Sequence, residues 1–407
     1  MLNKIQFLKN PKYILILILL LTAFLRLYRL DYPDKYIFDE VYHAFTAKEY
    51  LKGSVSAWEW WTTPPPDVAY EWTHPPLAKE IMTTSMFWLQ SQNAWAWRLP
   101  GALFGILSVY LVYLLGLKIL KNQNAALIAA FVFSLDGLNF VQSRTGMNDI
   151  YYLTFTLACI LALLNRKYFF SAILFGLALA SKWAAVYVFI LILFVLAKDR
   201  KKNKLYLFIF IPLIIYLLSY FPFFFIGHTF SQFKELQQQM WWYHTNLKAS
   251  HPYSSPWWSW PLNLYPVWYF VDYQKNNMAN IFASGNPMVF WTGSVAILLT
   301  AWEVVRKKSM NLIFILLGFF IFWLPWALSP RIMFLYHFSP SVPFLSLAMG
   351  HQLSKALNDK KKRKYAFGLL LLLLLSFIII YPFLVGIPIP KNLIKIFFLT
   401  NLSKNPF

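Results

Sequence analysis

The sequence predicts an all-α, polytopic membrane protein with about eleven transmembrane helices. Three observations carry that prediction. Of its 407 residues, 59% are hydrophobic and only 13% are charged, and there are 18 Trp, 24 Tyr and 39 Phe, a mix far from that of a soluble domain. Apolar runs of spanning length recur along the whole chain. The lysines and arginines give a net charge of +21, yet they sit in short clusters between those runs. That pattern sets membrane topology and argues against nucleic acid as a partner. Membrane lipids, including lipid phosphates, are the partners such a chain meets.

The first span is read from about Tyr13 to Leu30. Lys4, Lys9 and Lys12 precede it, as in a secretory signal, but it approaches spanning length and no small-residue cleavage site follows, so it is expected to be retained. Further spans are expected near 99 to 117, 123 to 139, 150 to 165, 168 to 181, 183 to 197, 205 to 226, 287 to 304, 309 to 327, 332 to 350 and 366 to 386. The two runs flanking Lys182 are short enough to form one bent or re-entrant feature. The single cysteine, Cys159, lies inside an apolar run, so no intramolecular disulfide is expected.

Orientation follows from the cations. With the amino terminus inside, the cytoplasmic segments hold Lys118 and Lys121, Arg166 and Lys167, the run from Lys198 to Lys204, Arg306 to Lys308, and Lys355 with the 360–364 cluster. Of the acids, only Asp199, Glu303 and Asp359 share that face. The other face then carries two substantial segments, about 31 to 97 and about 227 to 286, too rich in Trp and Tyr to be disordered. Within the first, "PPLAKEIMTTSMFWLQSQNAW" places Leu77, Ile81, Met82, Met86 and Leu89 on one face, with Lys79, Glu80 and Gln90 between them, which predicts an amphipathic helix in the membrane interface. The whole chain, 1 to 407, reads as one transmembrane domain.

Chemistry is expected at the mouth of the bundle on that outer face. Asp39 and Glu40 stand together in "IFDEVYH", just beyond the first span. Arg98, Asp136, Arg144, Asp149, Lys182 and Arg331 fall at span edges on the same side. Each taken singly fits a snorkelling anchor or half of a structural ion pair. Together they place cations where a lipid phosphate would be met and carboxylates where an attacking hydroxyl would be deprotonated. Group transfer from a lipid phosphate is the reaction they suit: the cations stabilise charge building on the departing phosphate, itself a weak base that needs no acid to protonate it. His43, His74, His244 and His251 lie on this side too, without HxxxH or HExxH spacing. No metal and no cofactor is therefore expected, and hydrogen bonding to sugar, phosphate or backbone is their better use. The block "MWWYHTNLKASHPYSSPWWSWPLNLYPVWYF" reads mainly as an interfacial aromatic belt, with one or two rings available to stack on a sugar.

Taken in order, these segments resemble the protein O-mannosyltransferase family of polytopic, lipid-phosphate-dependent glycosyltransferases, which have the multi-span GT-C fold of glycosyltransferase family 39. "FDEVYH" resembles the family's paired acids, "THPPLAKE" its His-Pro-Pro segment, and "AWRLPGALFG", "LDGLNFVQSRTGMNDIYY" and "GLALASKWAAVYV" its next landmarks. "YHTNLKASHPYSSPWWSWPL" followed by "YPVWYF" is very like the bacterial branch. The resemblance implies an inverting transferase moving mannose from a polyprenyl- or dolichyl-phosphate donor to Ser or Thr hydroxyls of proteins at the outer face of the cell membrane, without nucleotide or obligatory metal. It implies Asp39 as catalytic base, Glu40 as its support, Arg98, Lys182 and Arg331 as donor-phosphate contacts, and less specific site roles for His43, His74, Arg144, Asp149, His244 and His251. Eukaryotic members carry a large luminal insert for which 227 to 286 leaves no room. The alternatives are a related transferase acting on lipid A or a cell-surface glycan and, from another class, a flippase or transporter. The latter would be expected to show two related halves with paired broken helices at midplane, whereas the charges here gather at one face.

Overall fold

The side chain of Asn10 accepts from the Lys12 amide at 3.0 Å, and Pro11 occupies the first turn of helix α1, Pro11–Leu27, so the first apolar run starts as a capped helix. In the computed structural model, which describes residues 10 to 393, helices then follow in series. They are α2 His43–Leu51, α3 Leu77–Leu89, α4 Ala94–Leu120, α5 Gln123–Ser134, α6 Gly137–Gln142, α7 Asp149–Leu164, α8 Tyr168–Ser181, α9 Val188–Lys198, α10 Leu207–Ser219, α11 Phe221–Phe225 and α12 Phe230–Asn246. Two strands, β1 Val267–Tyr273 and β2 Asn277–Ala283, precede α13 Pro287–Lys307, α14 Met310–Ile321, α15 Val342–Asn358 and α16 Arg363–Val385, and a short β3 Ile389–Pro390 closes the series.

Among the described residues, five helical stretches are long and apolar enough to cross a membrane unaided: Ala94–Leu120, Lys202–Ser219, Pro287–Lys307, Met310–Leu328 and Arg363–Val385. Several expected spans are interrupted, and local chemistry says where. The run 123 to 139 breaks at Asp136, whose carboxylate caps α6 by accepting from the Leu138 and Asn139 amides at 3.2 and 2.8 Å. The run 205 to 226 breaks at Tyr220, ahead of Pro222, because Pro222 has no amide to donate to the Leu218 carbonyl and its ring crowds that carbonyl. The run 309 to 327 passes into a 3₁₀ turn, Leu324–Leu328, around Pro325. The run expected at 332 to 350 starts later: Pro340 and Pro343 hold Leu335–Ser341 in 3₁₀ form, and the α-helix begins at Val342.

The expectation for 168 to 197 is met as two helices joined by a 3₁₀ segment, Trp183–Tyr187. Lys182 sits at the junction with an extended backbone, φ −161°. Helix α3 occupies the stretch read as amphipathic. Of the five residues assigned to its apolar face, Met82 and Met86 are buried while Leu77, Ile81 and Leu89 are half-buried, and the inward face also carries Ala78 and Lys79, the latter placed on the polar side but fully buried.

Small residues let the central helices approach closely. A Cβ on Gly350 of α15 would fall 2.4 Å from the carbonyl oxygen of Ala125 and 2.9 Å from the Ala129 Cβ, both on α5. One on Gly116 of α4 would meet Ala126 at 2.8 Å. Pro100, within α4, cannot donate to the Ala96 carbonyl one turn back, and the hydroxyl of Ser85 in α3 donates there instead at 2.6 Å. The loop helix is thereby tied to the span.

The sheet is an addition to the predicted all-helical architecture. "VWYFVDY" and "NMANIFA" form an antiparallel hairpin, from Val267 opposite Ala283 to Tyr273 opposite Met278, with an irregularity between Trp268 and Phe270. β3 adds to β2, and Met278 and Phe282 pack on Phe383 of α16. The aromatic block is correspondingly divided. Trp241, Trp242 and Trp258 are exposed, as in a belt, whereas Trp260 is buried and donates to Ser255 Oγ at 2.9 Å.

Replacing Gly350 by Leu should force α5 and α15 apart and destabilise the protein by about 1–3 kcal/mol. Thermal unfolding in detergent should show a clear fall, with a much smaller effect for Gly368→Leu, whose added Cβ meets nothing within 4 Å.

Candidate active site

Phe38–Val41 form a 3₁₀ turn that begins in the left-handed region, with Phe38 at φ 47°. That turn sends its two adjacent carboxylates to different places. Glu40 points into the protein and is completely buried. Its Oε1 accepts from Arg98 Nε at 2.7 Å, Trp97 Nε1 at 3.1 Å and the Gly146 amide at 2.8 Å, and its Oε2 accepts from Arg98 Nη2 at 2.7 Å and the Ile37 amide at 3.0 Å. Gly146 must be small to deliver that amide, since a Cβ there would lie 3.3 Å from Glu40 Cγ. The Asp39 carboxylate, partly exposed, has no hydrogen-bond or ion-pair partner among the described residues.

Arg98 is therefore not placed to meet a donor phosphate. It is 1% exposed, and besides Glu40 it donates to the carbonyls of Leu30, Pro33 and Lys35 at 3.0–3.2 Å. Arg144 is withdrawn in the same way. It is buried and donates to the carbonyls of Leu25, Arg26 and Arg29. Both guanidiniums knit the end of α1 and the segment after it onto α4 and the loop after α6, because a buried cation is stable only when its donors are satisfied.

Two other cations are set differently. Lys182, at the break between α8 and Trp183–Tyr187, donates to both oxygens of Asp149 at 2.9 and 3.0 Å and lies 5.7 Å from the Tyr336 ring centre. Arg331 meets His244 Nδ1 and stacks 5.3 Å over Tyr243, and its Nε has no partner among the described residues. Lys182, Asp149 and Arg331 all act electrostatically on Asp39.

Behind them stands a carboxylate that the sequence reading missed. Glu71 Oε1 accepts from Thr73 Oγ1 at 2.6 Å, the His74 amide at 2.9 Å and His74 Nδ1 at 3.1 Å, and Oε2 lies 3.5 Å from His43 Nδ1. Lys79 of α3 clamps the loop from below, donating to the Glu71 and His74 carbonyls at 2.7 and 2.9 Å. The ring of His74 packs on His43 and on His244, with centroids 5.8 and 5.3 Å apart. The available signal was an acid three residues before His74 in "YEWTHPP". His251 stands apart from this cluster, against Tyr253 and Phe334.

Burial and charge set the protonation states. Burial lowers His43 and His244 to about 4 and His74 well below the usual imidazole range, so all three are neutral near pH 7. Burial pushes Glu71 up, but His74, His43, the His74 hydrogen bond and Lys79 outweigh it and hold the carboxyl well below its ordinary value. Asp39 goes the other way. Loss of solvent, then the Glu71 charge, with a smaller push from Asp149, raises it to about 7 against the opposing pull of Lys182 and Arg331. Among the described residues no group of three or more His, Cys, Asp or Glu side chains is arranged to hold a metal ion.

A family model described as dolichyl-phosphate-mannose-protein mannosyltransferase matches residues 16–226, more than half of the chain, and one for the C-terminal four TMM region of protein-O-mannosyltransferase matches 229–399. The chain belongs to the protein O-mannosyltransferase family. Within it, the polyprenol-phosphate-mannose--protein mannosyltransferase of Mycolicibacterium smegmatis is 25% identical over 411 residues, covering 78% of this chain and 79% of that one. Dolichyl-phosphate-mannose--protein mannosyltransferase 1 of Saccharomyces cerevisiae is 32% identical over 171 residues, 37% of this chain and 20% of that one. The fold matches that of the S. cerevisiae protein O-mannosyltransferase Pmt1-Pmt2 complex bound to the sugar donor, with a TM-score of 0.77 at 15% identity over 96% of this chain and 92% of that chain. ArnT from Cupriavidus metallidurans bound to undecaprenyl phosphate shares it at a TM-score of 0.60 and 12% identity, over 91% and 74% of the two chains.

The Glu40–Arg98 pair should behave as architecture. Arg98→Met leaves Glu40 buried without its cation and should cost about 3–5 kcal/mol, read as a large drop in thermal stability. Combining it with Glu40→Leu should recover part of that loss.

Proposed function

We propose that this protein transfers mannose from a polyprenyl- or dolichyl-monophosphate donor to Ser or Thr hydroxyls of acceptor proteins, with inversion at the anomeric carbon. The observation that carries the reading is the division of labour at "FDE": Glu40 is saturated with donors, while Asp39 is unpartnered and raised to about 7 beside two cations. Asp39 takes the proton from the acceptor hydroxyl, whose oxygen attacks C1 of the sugar from the face opposite the phosphate. The bond between C1 and the phosphate oxygen breaks, and the lipid phosphate leaves carrying the electron pair. Lys182 and Arg331, whose buried Nε has no partner among the described residues, would meet the departing phosphate, where their charge counts most in the transition state. Arg98 and Arg144 act at one remove, by holding Glu40 and the loop. Glu71, with the neutral His43, His74 and His244, keeps the wall behind Asp39 rigid and adds the negative charge that makes Asp39 a stronger base.

The multi-pass chain is one transmembrane glycosyltransferase domain in the cell membrane, amino terminus inside. Arg98, Asp149 and Lys182 stand at one end of their helices and the lysine clusters at the other, which supports an extracytoplasmic site. A cavity of about 380 Å³, bounded by Lys35–Phe38 and Trp268–Val271, opens beside the Asp39 turn.

Asp39→Asn should cut kcat by about 10²–10⁴ with thermal stability unchanged, measured with labelled polyprenyl-phosphate mannose and a Ser/Thr-rich peptide. Undiminished transfer would remove Asp39 as the base, and label appearing in lipid instead of peptide would favour a glycolipid acceptor. Because the base must be ionised and its pKa is raised, the rate of the native protein should climb with pH through about 7 and level off above it.

A further inference from the structure

A second cavity, of about 490 Å³, lies at the far end of the bundle. Helix α4 carries Arg98 near one end and Lys118 near the other, about 30 Å away at 1.5 Å per residue. Helix α7 likewise runs from Asp149 to the edge of this cavity at Leu164. Lys118, Lys121, Arg166 and Lys198 line its rim, and Ile119, Val195 and Phe314 form a buried apolar floor.

Cations at helix carboxyl ends often do no more than complement the last turn. Here those last turns are already closed. The Lys121, Asn165 and Asp199 amides donate back to the Leu117, Leu161 and Val195 carbonyls at 2.9–3.1 Å, and the Asn311 side chain donates to the Ile119 carbonyl at 2.7 Å. Asp199 is the one carboxylate lining the cavity, and it already accepts from Arg166 Nε and Tyr168 Oη, both at 3.1 Å. Four cations against one acid leave an unneutralised positive rim over a hydrocarbon floor.

We propose that this cavity binds the phosphate of an anionic membrane lipid, the head group on the lysines and the start of the acyl chains on the floor. A free phosphate would satisfy the rim but not the floor. The site is independent of the transfer chemistry, since none of its lining residues belongs to the Asp39 cluster.

The test uses the full chain in neutral detergent, with dioleoylphosphatidylglycerol, dioleoylphosphatidylcholine and inorganic phosphate as probes, read by native mass spectrometry and by thermal shift. Phosphatidylglycerol should be retained and stabilising, while phosphatidylcholine and inorganic phosphate should not. The triple variant Lys118→Gln, Lys121→Gln, Lys198→Gln should bind phosphatidylglycerol on the order of a hundredfold more weakly. The control Lys360→Gln, Lys361→Gln, Lys364→Gln removes the same charge from exposed positions and should bind normally. The proposal is overturned by equal losses in both triples, by native protein that does not distinguish the two lipids, or by inorganic phosphate matching the anionic lipid. The lipid preference of the native chain needs no variant, so poor folding of a mutant leaves the question decidable.

Discussion

The buried pair of Glu40 and Arg98 is the constraint on which the site depends. A carboxylate with no exposure is tolerable only if every lone pair is answered. Five donors from three separate stretches of chain answer it: the Ile37 amide, Trp97 and two nitrogens of the adjacent Arg98, and the Gly146 amide. Satisfying Glu40 therefore brings together the Phe38–Val41 turn, the start of α4 and the loop before α7. Asp39, its neighbour in sequence, is left without a donor of its own among the described residues, and loss of solvent together with the Glu71 charge raises it.

Much of this was legible in the sequence, but unevenly. The paired acids, Lys182 between two short apolar runs, and Arg331 and His244 as members of one mouth followed from residue type and side of the membrane. Arg98 was misread because sequence supplies a charge without its partner, and the partner, Glu40, is 58 residues away. Arg144 was misread for the same reason, its donors closed by carbonyls more than 100 residues distant. Glu71 belongs to no spacing rule, and only the folded loop brings it between His43 and His74. The helix breaks at Pro222, Pro325 and Pro340 were readable from proline chemistry, but hydropathy averaged over a window hides them. The hairpin was overlooked because its aromatic alternation sits inside a block whose composition suits an interfacial belt equally well.

Electrostatically, the site separates charges that must not meet. Three imidazoles are neutral, Glu71 is ionised, and Lys182 is already shared with Asp149. Near Asp39 this leaves a modest balance of charge, able to accept a proton without drawing a strong counter-ion onto the base. The opposite end of the bundle has the contrary design, with four cations lining a cavity beside one carboxylate, Asp199, that is already paired with Arg166. A single set of helices thus presents a tuned mouth at one membrane surface and an anion-seeking rim at the other.

The left-handed backbone at Phe38 ties these parts together in a further way. A phenylalanine holds φ 47° only if something outside the turn retains it, and its ring stacks face to face on Tyr269 of β1 at 4.1 Å. Phe38 lies in the region matched by the first family model and Tyr269 in the region matched by the second. The contact therefore joins the two matched regions at the acid-bearing turn. During synthesis the nucleating acid pair emerges early, but its aim is fixed only after the hairpin, more than 200 residues later, has been made and docked. The aim of the two acids is therefore settled by two stretches of chain more than 200 residues apart in sequence.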